Sequence, residues 1–480
     1  MVISIPEVER LRSYQYQNRR AKDTLRYMSS TTGVIVEGSV KRALAEQGYI
    51  FRDERDNKSV YHPEKMFDLL AKYAKPNNFQ PNQEAWDKAY AATLHAFLLP
   101  ERVRQVKDVR SVLLAVKGEK SSGAPEFSHK KDVSMKDYNR MLRWLADEKA
   151  PDPCVAYHRV QHGSEGEKLR LVWGYPQSIT MAESSFARPL IERYKDRRSV
   201  MAFGKMRYKI GAQMTKLLNC HAKYGLDMSG FDSSIHPSLI NMAFNVLAKN
   251  VDWESSDYQD WLKIINYFIH TPILMPDGYV YTKHRGVPSG SYFTQMVDSV
   301  VNYFSIQYAY VRLTGKVIPE NKILVLGDDS IFGCSEAISL IKVQNHLNEL
   351  GLTMNPIKSH LSLDGQPAEF LGHIWKSGIQ DRPALDVAKR MVYPEKHSKI
   401  RDGRVRIKTR VYPYVSDALS AHKIITDYQK CANGIIPMYS NVDIGDVSGG
   451  TGWQEFKSTF EDEPRINRDM LCQAYTGIIR

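Results

Sequence analysis

Two short stretches, "KYGLDMSGFDSSIH" (223–236) and "ILVLGDDSIFG" (323–333), constrain this chain more than any other feature. Each places carboxylates at the end of an apolar run. In the second, "ILVL" and "SIF" suit short strands, and "GDD" between them suits a tight turn. In the first, Asp227 ends a short apolar strand and Gly230 permits a bend. On a continuous strand Asp227 and Asp232 would point to opposite faces, whereas a break near Gly230 returns Asp232 toward the same pocket. Taken singly, each stretch has an ordinary reading: a solvated acidic hairpin tip, and an Asp232 or Ser233 that merely caps the helix begun by "DSSIHPSLI". Taken together, they describe carboxylates converging from two strands, which need cations to offset their repulsion. Hard oxygen ligands open to water suit Mg2+ or Mn2+. Two such ions, about 4 Å apart, can hold both oxygens of an in-line phosphoryl displacement. On that reading Asp227 and Asp328 are catalytic bridging ligands, and Asp329 is an accessory metal ligand or a group that supports the ligands from behind.

Composition narrows the partners. The chain has 480 residues and a formal net charge of +12. That length asks for more than one core, and the positive balance suits a polyanion such as nucleic acid. Five scattered cysteines (Cys154, Cys220, Cys334, Cys431, Cys472) form no CxxC pair. This argues against a zinc or disulfide framework and for buried thiols in a reducing compartment. No apolar stretch is long enough to cross a bilayer, and the N-terminus lacks a signal-peptide core. The expectation is an intracellular protein, or one inside a particle made there, with no membrane partner.

Along the chain, residues 1–110 read as mostly helical, as in "NQEAWDKAYAATLHAFLL". A Gly/Pro/Ser loop follows at 117–132, then a strand-like run, "KLRLVWGYP" (168–176). Residues 221–375 alternate strands and helices. From about 376 the chain turns basic, with nine Lys or Arg against two acids in Lys389–Arg410, and then helical. The glycines of "DIGDVSGGTGW" (443–453) read as a turn, since no strand-turn-helix pattern makes them a phosphate loop.

The segment "RGVPSGSYFTQMVDSVVNYF" (285–304) sets a special loop before a helix that should start near Tyr292. Thr294, Asp298 and Asn302 are spaced i, i+4, i+8 and share one face. A polar stripe on an otherwise apolar helix needs partners. They could come from a capped core, or from template and an incoming sugar.

In this order, "DMSGFD", "GVPSG…T…N" and "GDD" resemble motifs A, B and C of viral RNA-dependent RNA polymerases. "GVPSGSYFTQ" is similar to the version in partitiviruses and related double-stranded RNA viruses, including picobirnaviruses. "SSGAP" (121–125) resembles motif G, "KLRLVWGYP" motif F, "NELGLTMNPIKSH" motif D and "EFLGHIW" (369–375) motif E. The resemblance implies an α+β right-hand polymerase with a small antiparallel palm sheet and many helices. Fingers would take 1–215 and 246–285, palm 216–245 and 286–375, and thumb 376–480. It implies RNA-directed RNA synthesis with two Mg2+ (or Mn2+) ions as cofactors. Lys168, Arg170, Asp232, Ser289, Thr294, Asp298 and Asn302 would contact the NTP, and Lys358 would donate a proton to pyrophosphate. Ser121, Gly123, Pro125, Gly290, Phe370 and Leu371 would contact RNA, although Phe370 and Leu371 could be simple core. Implied partners are template and product RNA, NTPs and a viral capsid protein, in the virion interior or host cytoplasm. The genome replicated and transcribed would be double-stranded RNA.

One position departs from the positive-strand pattern, which has Asn where this chain has Asp298. Asp298 would face Asp232, so the pair needs a proton or a donor between them: the sugar hydroxyl, Thr294 or Asn302. Three other functions compete. A reverse transcriptase would carry Tyr or Phe where Asp232 stands. A two-metal nuclease would not need the motif F cations. A non-catalytic, capsid-associated RNA-binding protein would leave the carboxylates without a purpose.

Overall fold

The computed structural model describes residues 9–11, 36–51, 62–116, 118, 121–132, 134–159, 169–196, 199–205 and 207–393, and their strands form three sheets. The sheet that carries the acidic segments runs in the order β7-β8-β4-β9 and is antiparallel throughout. Its strands are β4 (Ala222–Leu226), β7 (Ile323–Leu326), β8 (Asp329–Cys334) and β9 (His360–Ser362). The central strand β4 is buried at every position. Even its Lys223 is enclosed, so its ammonium must find acceptors; it donates to the carbonyl of Leu363 at 2.7 Å. The anticipated hairpin is present, with Leu326 opposite Asp329 and Gly327–Asp328 as its two-residue turn. Gly327 has φ 63° there, a conformation that glycine adopts without steric cost.

A second sheet runs β1-β6-β5-β2-β3. It comprises β1 (Glu9–Leu11), β2 (Cys154–Arg159), β3 (Arg170–Gly174), β5 (Pro272–Leu274) and β6 (Val280–Thr282). Because β2 pairs with β5 as well as β3, chain on both sides of the first acidic segment is woven into one sheet. The third sheet is a meander of β10 (Ala368–Phe370), β11 (His373–Lys376) and β12 (Ile379–Asp381).

Five helices matter for the site: α1 (Gln83–Phe97), α2 (Gln177–Asp196), α3 (Pro237–Ala248), α4 (Thr294–Thr314) and α5 (Leu340–Glu349). The 21-residue α4 is buried along nearly its whole length, as a helix enclosed on all sides must be. It packs against α1, α3, α5 and β7, and so forms the spine behind the acidic hairpin. Two sequence expectations shift here. The helix expected near Tyr292 begins at Thr294. Neither Asp232 nor Ser233 caps the next long helix: Phe231–Ser234 form a single short turn, and α3 is capped by His236, whose Nδ1 accepts from Ser238 N at 3.2 Å. Pro237 suits the first helical position and moves the cap to the residue before it.

Cys154, Cys220 and Cys334 are buried free thiols, as anticipated. Cys431, Cys472, the basic segment beyond Tyr393 and the 443–453 glycines lie outside the described residues, as does most of the region expected to form the thumb. Among the described residues, no helix is long and apolar enough to cross a membrane.

Candidate active site

The β4–β8 ladder ends with Leu226 opposite Ser330. The next residues, Asp227 and Asp329, therefore leave the same end of adjacent strands, with backbones about 5 Å apart, and Asp328 stands beside them in the turn. All three side chains reach solvent. The backbone of Asp227 is tied down: its N–H donates to Ser359 Oγ at 3.0 Å, and its carbonyl accepts from Asn355 N at 2.7 Å. The 355–359 segment, with exposed Lys358, thus lies against Asp227. The turn is held from below by α4. Asn302 Nδ2 donates to the carbonyls of Gly327 and Asp328, each at 2.9 Å, and Ser299 Oγ accepts from Gly327 N at 2.9 Å. Asn302 is 0% exposed. Its Nδ2 thus serves the backbone of the acidic turn.

Gly230, at φ 60°, reverses the chain after β4 and brings Asp232 within electrostatic reach of Asp328. Burial, then Asp328, pushes the Asp232 carboxyl up to about 6, with Arg170 opposing. Asp329 is likewise pushed up to about 6, by burial against the surrounding protein and then by repulsion from Asp328 and Asp227. Asp298 is buried, and burial followed by Asp232 and Asp328 holds its carboxyl well above the usual range. That shift favours the protonated form of Asp298, which lessens its repulsion with Asp232. Thr294 is not the intervening donor, because its hydroxyl donates to Pro288 O at 2.6 Å. One oxygen of Asp298 has no hydrogen-bond partner.

The 286–293 loop bridges these acids to β3. Val287 N donates to the Asp232 carbonyl at 2.7 Å. Buried Lys283 donates to the carbonyls of Phe268, Ile269 and Gly286. Ser289 Oγ accepts from Trp173 N at 3.2 Å, and a Cβ on Gly290 would lie 1.8 Å from Trp173 O. Only glycine permits that approach. Exposed Arg170 opens the same strand; Lys168 lies outside the described residues. At the strand's far end, Gly123 (φ 73°) packs with its Cβ position 2.8 Å from Tyr175 O. Ser121 Oγ and Tyr157 OH are 2.8 Å apart, and half-buried Pro125 completes this loop.

Phe370 is corrected to a core residue: it is 3% exposed and packs with Trp375, Leu324 and Ile331. The buried-exposed alternation of β10 turns it inward. Leu371, at φ 55°, is half-buried at the tip of the β10–β11 turn. Sequence reasoning missed Ser299, Ser359, Tyr73 and Glu183. Tyr73 OH donates to Val287 O at 3.3 Å and accepts from Trp173 Nε1 at 3.1 Å. Only Glu183 left a signal, as the lone acid in "SITMAESSFARPL".

Asp227, Asp328 and Asp329 supply hard, anionic oxygens that repel one another, a donor set suited to Mg2+ or Mn2+. Among the described residues no three His, Cys, Asp or Glu side chains already converge on one point.

The profile of the viral RNA-dependent RNA polymerase family matches residues 39–410. The RNA-directed RNA polymerase of Cryptosporidium parvum virus 1 (strain KSU-1) is 26% identical over 291 residues, 58% of this chain and 54% of that protein. That of Atkinsonella hypoxylon virus (isolate 2H) is 29% identical over 154 residues, 30% of this chain and 23% of that protein. The matches thus span about half of the first relative and under a quarter of the second. Among solved structures, an insertion-loop deletion mutant of a human picobirnavirus RNA-dependent RNA polymerase superposes with TM-score 0.72 at 17% identity, covering 94% of this chain and 100% of that one. The parent polymerase superposes with TM-score 0.67 at 16% identity, covering 94% of this chain and 90% of that one. The architecture is accordingly α+β and of the right-hand polymerase type.

Proposed function

Because the chain belongs to the viral RNA-dependent RNA polymerase family, we propose that it extends an RNA strand from NTPs under the direction of an RNA template. The observation that carries this reading is the β4–β8 register, which sets Asp227 beside Asp329 and the Asp328 turn. Asp227 and Asp328 would hold two Mg2+ or Mn2+ ions, with Asp329 alongside. Bound there, such ions lower the pKa of the attacking hydroxyl and offset the charge of the triphosphate.

The chain's own groups do the rest. The 3′-oxygen bonds to the α-phosphorus as the bond to pyrophosphate breaks; the proton of the 3′-hydroxyl passes to solvent, and Lys358, on the segment tied to Asp227, gives pyrophosphate its proton. Arg170, joined by Lys168, draws the phosphates toward the acidic end. Asp232 accepts a hydrogen bond from the ribose 2′-hydroxyl, and protonated Asp298 lets both acids share that pocket. Ser289 and Thr294 border it. An acid at 232, where a reverse transcriptase carries an aromatic ring, favours ribonucleotides. RNA passes the Ser121–Pro125 loop and Gly290, with Leu371 beside the product, and is held mainly through its phosphates. The resemblance of the 285–304 segment supports a double-stranded RNA genome, replicated and transcribed in the virion interior or the host cytoplasm.

The test is Mg2+-dependent incorporation of NTPs on an RNA template. Asp328→Asn should abolish synthesis while RNA binding survives, and substantial synthesis by that variant refutes its role as a ligand. Asp232→Ala should relax discrimination against dNTPs; an unchanged preference rejects the sugar assignment.

A further inference from the structure

Glu183 lies midway along α2 and is 0% exposed. A carboxyl taken out of water needs hydrogen-bond partners, and both of its oxygens find them on one loop. Oε1 accepts from Ser291 Oγ at 2.7 Å, and Oε2 accepts from Tyr292 N at 2.8 Å. Ser291 Oγ accepts in turn from Phe293 N at 3.0 Å. One side chain, 108 positions away in sequence from Ser291, thereby organises the turn that leads into α4. No side chain at the start of α4 caps the helix. On its other flank the loop presses on β3, through Ser289 Oγ and the glycine contact at 290. The loop is gripped from both sides, and it carries Ser289 and Thr294 to the sugar pocket.

We propose that Glu183 is a positioning residue for nucleotide addition, which sets the 286–293 loop through Ser291 and Tyr292 and so holds Ser289 and Thr294 beside Asp232 and Asp298. This role rests on the polymerase reading above. Among the described residues, the hydrogen bonds of Glu183 go to Ser291 and Tyr292 and not to the acidic hairpin, so its effect on synthesis passes through the loop. Burial pushes its carboxyl up to about 8, with the hydrogen bonds from Ser291 and Tyr292 opposing.

The experiment uses the full chain and three variants: Glu183→Ala, Glu183→Gln and Ser291→Ala. Amide hydrogen exchange across 286–293 is read together with KM and kcat for NTPs on an RNA template. Glu183→Ala should speed exchange at Tyr292 and raise the NTP KM by about tenfold, the equivalent of one good hydrogen bond, with RNA affinity unchanged. Glu183→Gln keeps an acceptor for Tyr292 N and offers an N–H to Ser291 Oγ, so it should stay near the parent. Ser291→Ala removes one arm of the clamp without burying any new group, and should give an intermediate effect. Parental loop exchange and KM in Glu183→Ala and Ser291→Ala overturn the proposal, as does a Glu183→Gln variant as damaged as Glu183→Ala. A parent chain that incorporates no NTP overturns the polymerase reading instead, and this role with it.

Discussion

Replacing Asn302 with leucine tests whether the helix behind the acidic hairpin sets the rate of synthesis. Leucine keeps the branched shape and removes the donors. The carbonyls of Gly327 and Asp328 then lose contacts of 2.9 Å each. An unpaired buried carbonyl costs about 1–3 kcal/mol. Gly327 is buried and Asp328 exposed, so the pair together costs about 2–4 kcal/mol on the same scale. Asn302 Oδ1 has no partner of its own, and its removal returns about 1 kcal/mol. The net loss falls on the turn, which keeps only the Ser299 contact to Gly327 N from α4. Expressed as displacement of Asp328, about 1–3 kcal/mol lowers the rate of nucleotide addition about 5- to 150-fold. Single-turnover incorporation on an RNA template measures it, with a thermal melt to confirm folding. A rate within twofold of the parent refutes the reasoning.

Three further outcomes are expected. Gly290→Ala puts a methyl where Trp173 O lies 1.8 Å away; the loop must shift by more than about 1 Å, and synthesis should fall about a hundredfold. Parental turnover contradicts this. Phe370→Ala should lower stability in urea by about 3–5 kcal/mol and leave RNA affinity of the folded protein alone; parental stability with weakened RNA binding would restore Phe370 as an RNA contact. Glu183 titrates at about 8 when folded and at about 4.3 when unfolded. The folded state thus holds an extra proton between those values, so this stability is full below about pH 4.3 and lost as pH rises through about 8. Glu183→Gln removes that dependence, and its Tm should decline less than the parent's from about pH 5 to about pH 8. Identical slopes disprove it.

Much of the catalytic end could be read from local pattern. Short, mostly apolar runs ending beside acids announce β4, β7 and β8, and Gly327 and Gly230 mark the two reversals that aim the acids. These signals lie within a few residues of the groups they place, because strand alternation and glycine's conformational freedom are properties of the local chain. The spacing of Thr294, Asp298 and Asn302 also foretold one shared face, and all three do lie along α4.

What each member of that face serves was decided only when other chain packed against it. Thr294 closes its own loop, Asp298 is buried beside Asp232 with its carboxyl held well above the usual range, and Asn302 supports the turn. Phe370 turned inward for the same reason, because the core it fills is assembled from Leu324, Ile331 and Trp375. Glu183 became the partner of Ser291 across 108 residues. Local periodicity determines which way a side chain faces. A buried polar group takes its role from whichever donors and acceptors the fold brings to it, and those come from distant parts of the chain.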